Sequence, residues 1–200
     1  EWHDDKTGAM LAHTDNAPIV TCGYHVSDVS GHSVTRACSS PQGYRYFKNN
    51  ATFLSRLKRS NGGQNTYLGS IMYPADLRHI RFEETTGMVD YDWLLRLFHQ
   101  QPSVEVCAPL FTRHVSGSNL SLNEKYRLND HALSLKAVES YAGRYPAEVK
   151  QSVRKINGTL ARFYYVTGQM TKARRYFRKS GLGPLTLMYL LTTYAGANLV

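Results

Sequence analysis

The chain has 200 residues, with 24 Lys and Arg against 15 Asp and Glu, a formal net charge of +9, 42% hydrophobic and 20% charged residues. That balance excludes an intrinsically disordered chain, and the length suffices for one well-buried domain or a domain with a helical appendage. The positive excess favours anionic partners, whether nucleotide diphosphates, acidic membrane surfaces or nucleic acid.

In chain order, Lys6 to His13 has helical character and stops at Asp15-Asn16-Ala17-Pro18. Ile19 to Val26 is β-branched and aromatic, which predicts a strand. A polar stretch rich in turn residues follows, with one short strand expected near Ser33 to Ala37. Phe53, Leu54 and Leu57 share one face of a helix predicted over Phe47 to Lys58, and Asn61-Gly62-Gly63 breaks it. Tyr67 to Tyr73 reads as a second strand, and Pro74 is placed to begin a short helix through His79. Asp90 to Gln101 gives the strongest helix signal, because Trp93, Leu94, Leu97 and Phe98 fall on one face. Asp90 and Asp92 occupy its first turn, where the helix dipole favours anions. Val104 to Phe111 predicts another strand.

From about Asn123 the strand signals vanish, and helical periods cover Leu128 to Tyr141, Pro146 to Val166, Thr171 to Lys179 and the stretch from Pro184. Ala161 to Ser180 has the pattern of one tetratricopeptide-like hairpin, with Gly168 in the turn and Ala173 at the close packing point. The expected fold class is therefore α/β over residues 1–122, followed by an all-helical extension over residues 123–200. Glu1 is not a natural start, so the segment reads as cut from a longer chain.

Cys22, Cys38 and Cys107 show no CxxC spacing and sit among apolar or small residues, which reads as buried, reduced thiols in a cytoplasmic protein. No strictly apolar run reaches the roughly 18 residues of a membrane span. Lys172, Arg174, Arg175, Arg178 and Lys179, followed by the apolar stretch from Pro184, have two readings. One is a peripheral element at the inner face of an anionic membrane, and the other is a solvated helix face beside a packed last helix. Carboxylates cluster at Asp4, Asp5, Glu83, Glu84, Asp90 and Asp92, unlike those of a uniformly basic nucleic-acid binder, and no nucleic-acid partner is expected.

Three features carry chemistry: Gly69-Ser70, the acidic helix start from Val89 to Leu97, and the loop from Arg113 to Ser121. Singly, each has a plain structural explanation: a close backbone approach, a helix cap and a surface loop. Their order and spacing, together with Phe82-Glu83-Glu84, resemble the second half of the family 2 glycosyltransferases. In that family the acidic helix start reads Glu-Asp, followed by an acidic residue, a Trp and Arg-Leu; here Asp90, Asp92, Trp93 and Arg96-Leu97 fall on those positions. His114 falls on the loop His, and Ser116, Ser118 and Ser121 on its Ser-rich continuation. Trp2 and Lys6 look like residues directly following the family's DxD motif. Val89 departs from the pattern, standing where the family has Glu, and the DxD half itself is not in the chain.

The resemblance implies a partial GT-A fold, a Rossmann-like mixed sheet with flanking helices, and inverting transfer of a sugar from a nucleotide-diphosphate donor to a saccharide or lipid-linked acceptor. It implies bacterial surface polysaccharide synthesis and a divalent cation, Mg or Mn, bound mostly by upstream residues. Asp90 becomes the catalytic base; Gly69, Ser70, Asp92, Trp93 and Arg113 become donor- or acceptor-binding residues; His114 becomes a contact to the metal or diphosphate. In-line displacement needs one carboxylate within hydrogen-bond reach of the attacking hydroxyl, so a single Asp90 serves it better than the paired carboxylates of glycoside hydrolysis. The crevice is expected beyond the carboxyl ends of the strands. The alternative is a transferase-like interaction module without catalysis, to which Val89 and the absent DxD half lend support.

Overall fold

The computed structural model describes residues 1–60, 62–83, 90–115, 123–181 and 183–194. These form a mixed α/β structure in two compact units, one of residues 1–56, 60–83 and 90–115, the other of residues 57–59 and 123–194. Val89, Glu84, Ser116, Ser118 and Ser121, which carry part of the family resemblance, lie outside the described residues.

The first unit is built on a four-stranded sheet of β1 (Ile19–Asp28), β2 (Ser33–Arg36), β3 (Tyr44–Phe47) and β4 (Ser103–Val115), in the order β2-β1-β4-β3. β1 and β4 run parallel at its centre, and β2 and β3 pair antiparallel at the edges. Side chains alternate across a strand, and here the alternation sorts them by polarity. Val20, Cys22, Val104 and Val106 meet Met10 of α1 (Lys6–Leu11), with Leu110 and Phe111, in an apolar core. Thr21, Ser103 and Glu105 are the intervening residues, buried but polar. The β1–β2 turn closes on Asp28, whose Oδ1 accepts from the backbone N–H groups of Ser30 and His32 at 2.9 and 3.0 Å, a side-chain substitute for a backbone turn bond. The β1–β4 register slips around Gly23, where an added Cβ would lie 2.6 Å from Ala37 Cβ, so only glycine lets the end of β2 pass.

Two helices complete this unit, α2 (Ala51–Leu57) and α3 (Asp90–Phe98). α3 follows the apolar spacing of its sequence: Trp93, Leu94, Leu97 and Phe98 are all buried, with Leu95. Three expectations are corrected. Phe47 ends β3 rather than opening a helix, because Asn50 takes a positive φ of 65° before α2 begins; a short polar side chain tolerates that left-handed turn. The segment Tyr67 to Tyr73 is not a strand: Leu68–Ser70 forms a 3₁₀ turn, and Met72 makes an isolated bridge to Val20. The Ser70 hydroxyl donates to the Tyr67 carbonyl at 2.6 Å, offering the backbone a local alternative to a sheet ladder. Finally, β4 continues to Val115 and takes Arg113 and His114 into the sheet, not into a loop.

The second unit is helical: α4 (Glu124–Glu139), α5 (Pro146–Val166), α6 (Met170–Ser180) and α7 (Pro184–Thr192). Asn123 caps α4 by accepting the Tyr126 N–H at 3.2 Å. Gly168, at φ 74°, turns α5 into α6, and Ala173 is fully buried where the two helices meet. Around it pack Leu160, Ala161, Phe163, Tyr164, Tyr165 and Phe177. The basic run on α6 is partly tied down within the unit, through Lys172 to Glu124 at 2.7 Å, Arg174 to the Thr193 carbonyl at 2.7 Å and Arg178 to the Tyr194 hydroxyl at 3.0 Å. Leu185, Leu187, Met188 and Leu191 of α7 are exposed. Among the described residues, no helix is long and apolar enough to cross a membrane.

The cysteines depart from the expectation of three reduced thiols. Cys38 and Cys107 form a disulfide, and Cys22 alone is free, buried in the apolar core. Spacing hid the pair because the partners are 69 residues apart, Cys38 in the segment between β2 and β3 and Cys107 on β4. Disulfides persist in oxidising compartments, so it is the expectation of reduced thiols that this pair overturns. Burial pushes the Cys22 thiol up to about 11, so little thiolate exists at neutral pH. We expect no reaction of the native protein with iodoacetamide, one modified cysteine after unfolding without reductant and three after reduction, read by mass spectrometry. Three without reductant would show the disulfide absent.

Candidate functional site

A cleft of about 780 Å³ opens on the polar side of the sheet in the first unit. Its floor is set by Gln64, which is 1% exposed and uses its whole amide: Oε1 accepts from the Thr52 and Ser103 hydroxyls, and Nε2 donates to Thr21 Oγ1 and the Val104 carbonyl, both at 3.0 Å. This pins the segment after Gly63 onto the strands without leaving a polar atom unmatched. Arg56 of α2 braces the same segment by donating to the Gln64 carbonyl at 2.9 Å.

Beside Gln64 stands Glu105, 3% exposed, with Thr21 opposite it on β1 and Arg45 opposite it on β3. Its carboxylate accepts the Asn65 backbone N–H, yet Oε2 finds no hydrogen-bond partner among the described residues. Burial raises its pKa above the usual carboxylate range, while the Asn65 N–H and the Arg45 and Arg56 charges pull it back. Three arginines line the cleft, Arg36, Arg45 and Arg56, against two carboxylates, Asp90 and Glu105. Tyr24 and Tyr67 form part of the wall, their rings stacked with centroids 5.4 Å apart.

Because the folded carboxyl of Glu105 binds its proton more tightly than an unfolded one, the native state carries more protons between the two pKa values. Stability contributed there falls as pH rises through that window. Glu105→Gln should therefore be more stable than the wild type at about pH 7, with the gap narrowing toward about pH 4. Urea melts at the two pH values test this, and a gap that widens on acidification would refute it.

Of the residues singled out in the sequence, Asp90 lines the cleft, at its rim in the first turn of α3, exposed, with Oδ1 accepting the Tyr91 N–H at 2.8 Å. The others do not line it. Asp92 pairs with Arg96 at 2.8 Å, and Arg96 in turn donates to the Arg81 carbonyl. Trp93 is 3% exposed, donates its indole N–H to the Ile80 carbonyl at 2.8 Å and stacks on Phe82. Gly69 lies against the Phe111 ring, where an added Cβ would sit 3.1 Å from it, and Ser70 is fully buried. Arg113 lies over the Tyr67 ring at 5.0 Å. The cleft sits over the sheet face near the start of β4, not beyond the carboxyl ends of the strands as expected.

His114 Nε2 is 3.6 Å from the Glu1 carboxylate, and both side chains are largely exposed. No group of three or more His, Cys, Asp or Glu among the described residues is arranged to hold a metal. The resemblance assigns most of the divalent cation's ligands to upstream residues, and Mg²⁺ commonly takes only one or two protein ligands, with waters and phosphates completing its shell.

Glu105 was not legible as a site residue: Val104 to Phe111 reads simply as a strand, and one carboxylate within it carries no motif. Its signal was a charge in an otherwise apolar run, which burial makes expensive unless it has a use. Comparison with models of protein families and with curated proteins found no match.

Proposed function

We propose that the chain is the acceptor-side part of an inverting, nucleotide-sugar-dependent glycosyltransferase of GT-A type, with Asp90 as the catalytic base. The observation that carries this reading is the position of Asp90, an exposed carboxylate at the rim of a polar, arginine-rich cleft. An acceptor hydroxyl held there gives its proton to Asp90 as its oxygen attacks the anomeric carbon. The bond from that carbon to the nucleoside diphosphate breaks with inversion, and the electron pair leaves on the diphosphate. Cationic side chains near the leaving group favour its growing charge, a task for which guanidinium groups are well shaped.

The ordered match of Phe82-Glu83, Asp90, Asp92-Trp93 and Arg96-Leu97 to the family pattern supports the same reading. So does the mixed sheet with flanking helices. Peripheral membrane contact through α6 and the apolar side chains of α7 belongs to this proposal, and it suits a lipid-linked acceptor. The test is sugar transfer by the full-length protein across nucleotide sugars with Mg²⁺ or Mn²⁺, wild type against Asp90→Asn. No binding of any nucleotide sugar by the wild type would favour the interaction-module reading instead.

A further inference from the structure

Glu105 and Gln64 sit side by side on the floor of the cleft, and they are treated differently by the fold. All four hydrogen-bonding positions of Gln64 are used, whereas Glu105 Oε2 is buried with none among the described residues. Leaving a buried acceptor unmatched is unfavourable, and a donor supplied by a ligand would remove that cost. The nearest cation across the sheet is Arg45, at the directly opposed position on β3. Arg45 and Arg36 are both exposed in the cleft, and neither closes an ion pair among the described residues. An acceptor on the floor thus stands beside two exposed guanidinium groups, Arg36 and Arg45, the latter over the Phe47 ring at 5.3 Å, with the flat Tyr24 and Tyr67 rings in the wall.

We propose that this cleft binds an anionic saccharide, with Glu105 Oε2 accepting a ring hydroxyl while Arg45 and Arg36 take the carboxylate or phosphate of the same molecule. A neutral sugar would leave the arginines unused, and a bare anion would leave Glu105 unmatched, so the ligand must carry both groups. The inference deepens the sugar-transfer reading and rests on it for the saccharide nature of the ligand. What it adds is that the saccharide is acidic and that Glu105 and Arg45 select it.

The experiment is calorimetric titration of the full-length protein with glucuronate, glucose 6-phosphate, glucose and inorganic phosphate, repeated on Glu105→Leu and Arg45→Gln. At least one acidic sugar should bind about tenfold more tightly than either glucose or inorganic phosphate, the scale of one charge-assisted hydrogen bond. Whichever acidic sugar binds more tightly identifies the carboxylate or the phosphate as the anion. Glu105→Leu should lose about tenfold in affinity for that sugar and keep its weak phosphate binding, while Arg45→Gln should erase the preference over glucose. Arg45 is exposed on an edge strand, so its variant remains informative if Glu105→Leu does not fold. Equal binding of glucose and the acidic sugars, equal binding of inorganic phosphate, or unchanged affinity in the variants would overturn the proposal. Acidic-sugar binding without transfer from any donor would sink the transferase reading and keep the subsite. Transfer that depends on Asp90 but shows no preference for acidic sugars would do the reverse.

Discussion

Asp90→Asn is expected to slow sugar transfer by about two to four orders of magnitude while leaving donor affinity within a few fold, the usual contribution of a positioned general base. The substitution keeps the shape of the side chain and an oxygen that can still accept the Tyr91 N–H, but it removes the basic lone pair. Its effect on folding should be small. An exposed anion in a helix's first turn contributes about 0.3–1 kcal/mol through the dipole, far below what unfolding would require. Asp92→Asn provides the contrast, since it breaks the Arg96 pair that helps hold the Arg81 carbonyl, and Asp92 does not line the cleft. It should shift the thermal midpoint more than the turnover. Equal turnover in wild type and Asp90→Asn would remove Asp90 from the chemistry and with it the motif alignment.

Phe177→Ala should destabilise the helical unit by about 3–5 kcal/mol, measured as a lowered urea midpoint of the helical circular dichroism signal. Phe177 is 1% exposed and lies parallel to the Tyr189 ring at a centroid distance of 5.6 Å, with Tyr165 meeting it edge-on at 6.3 Å. Removing the ring opens a cavity bounded by two large aromatics, and its loss also strips α7 of a stacking partner in α6. Phe177→Leu should recover much of the difference, because most of the volume is refilled. A loss below about 1 kcal/mol for Phe177→Ala would mean that the hairpin repacks freely and that its aromatic cluster is not the source of its stability.

Periodicity was most informative where one period governed a long stretch. Pro146 to Val166 and Asp90 to Phe98 were legible because apolar residues recur at helical spacing and a proline or a pair of aspartates marks the start. The reading failed where a single side chain decides the backbone. Asn50 turns the chain at a positive φ, and the Ser70 hydroxyl competes for a carbonyl a strand would have used. Asp90 could be singled out because it stands in a patterned helix start. Glu105, Gln64 and Arg45 could not, since they converge from β4, a loop and β3, and what distinguishes Glu105 is the state of one oxygen atom after folding. The Cys38–Cys107 pair failed to show for the same reason: it joins the segment after β2 to β4, a meeting that only folding creates and spacing does not encode.

That disulfide also fixes the topology of the cleft in a way hydrogen bonds do not. Arg45, Arg56, Gln64, Asn65, Tyr67, Asp90 and Glu105 all fall in the stretch between Cys38 and Cys107, so the chain that forms most of the pocket is a covalently closed ring. A single peptide cleavage anywhere in that ring opens it without releasing either wall, and the two halves of the pocket remain joined until the sulfur bond is reduced.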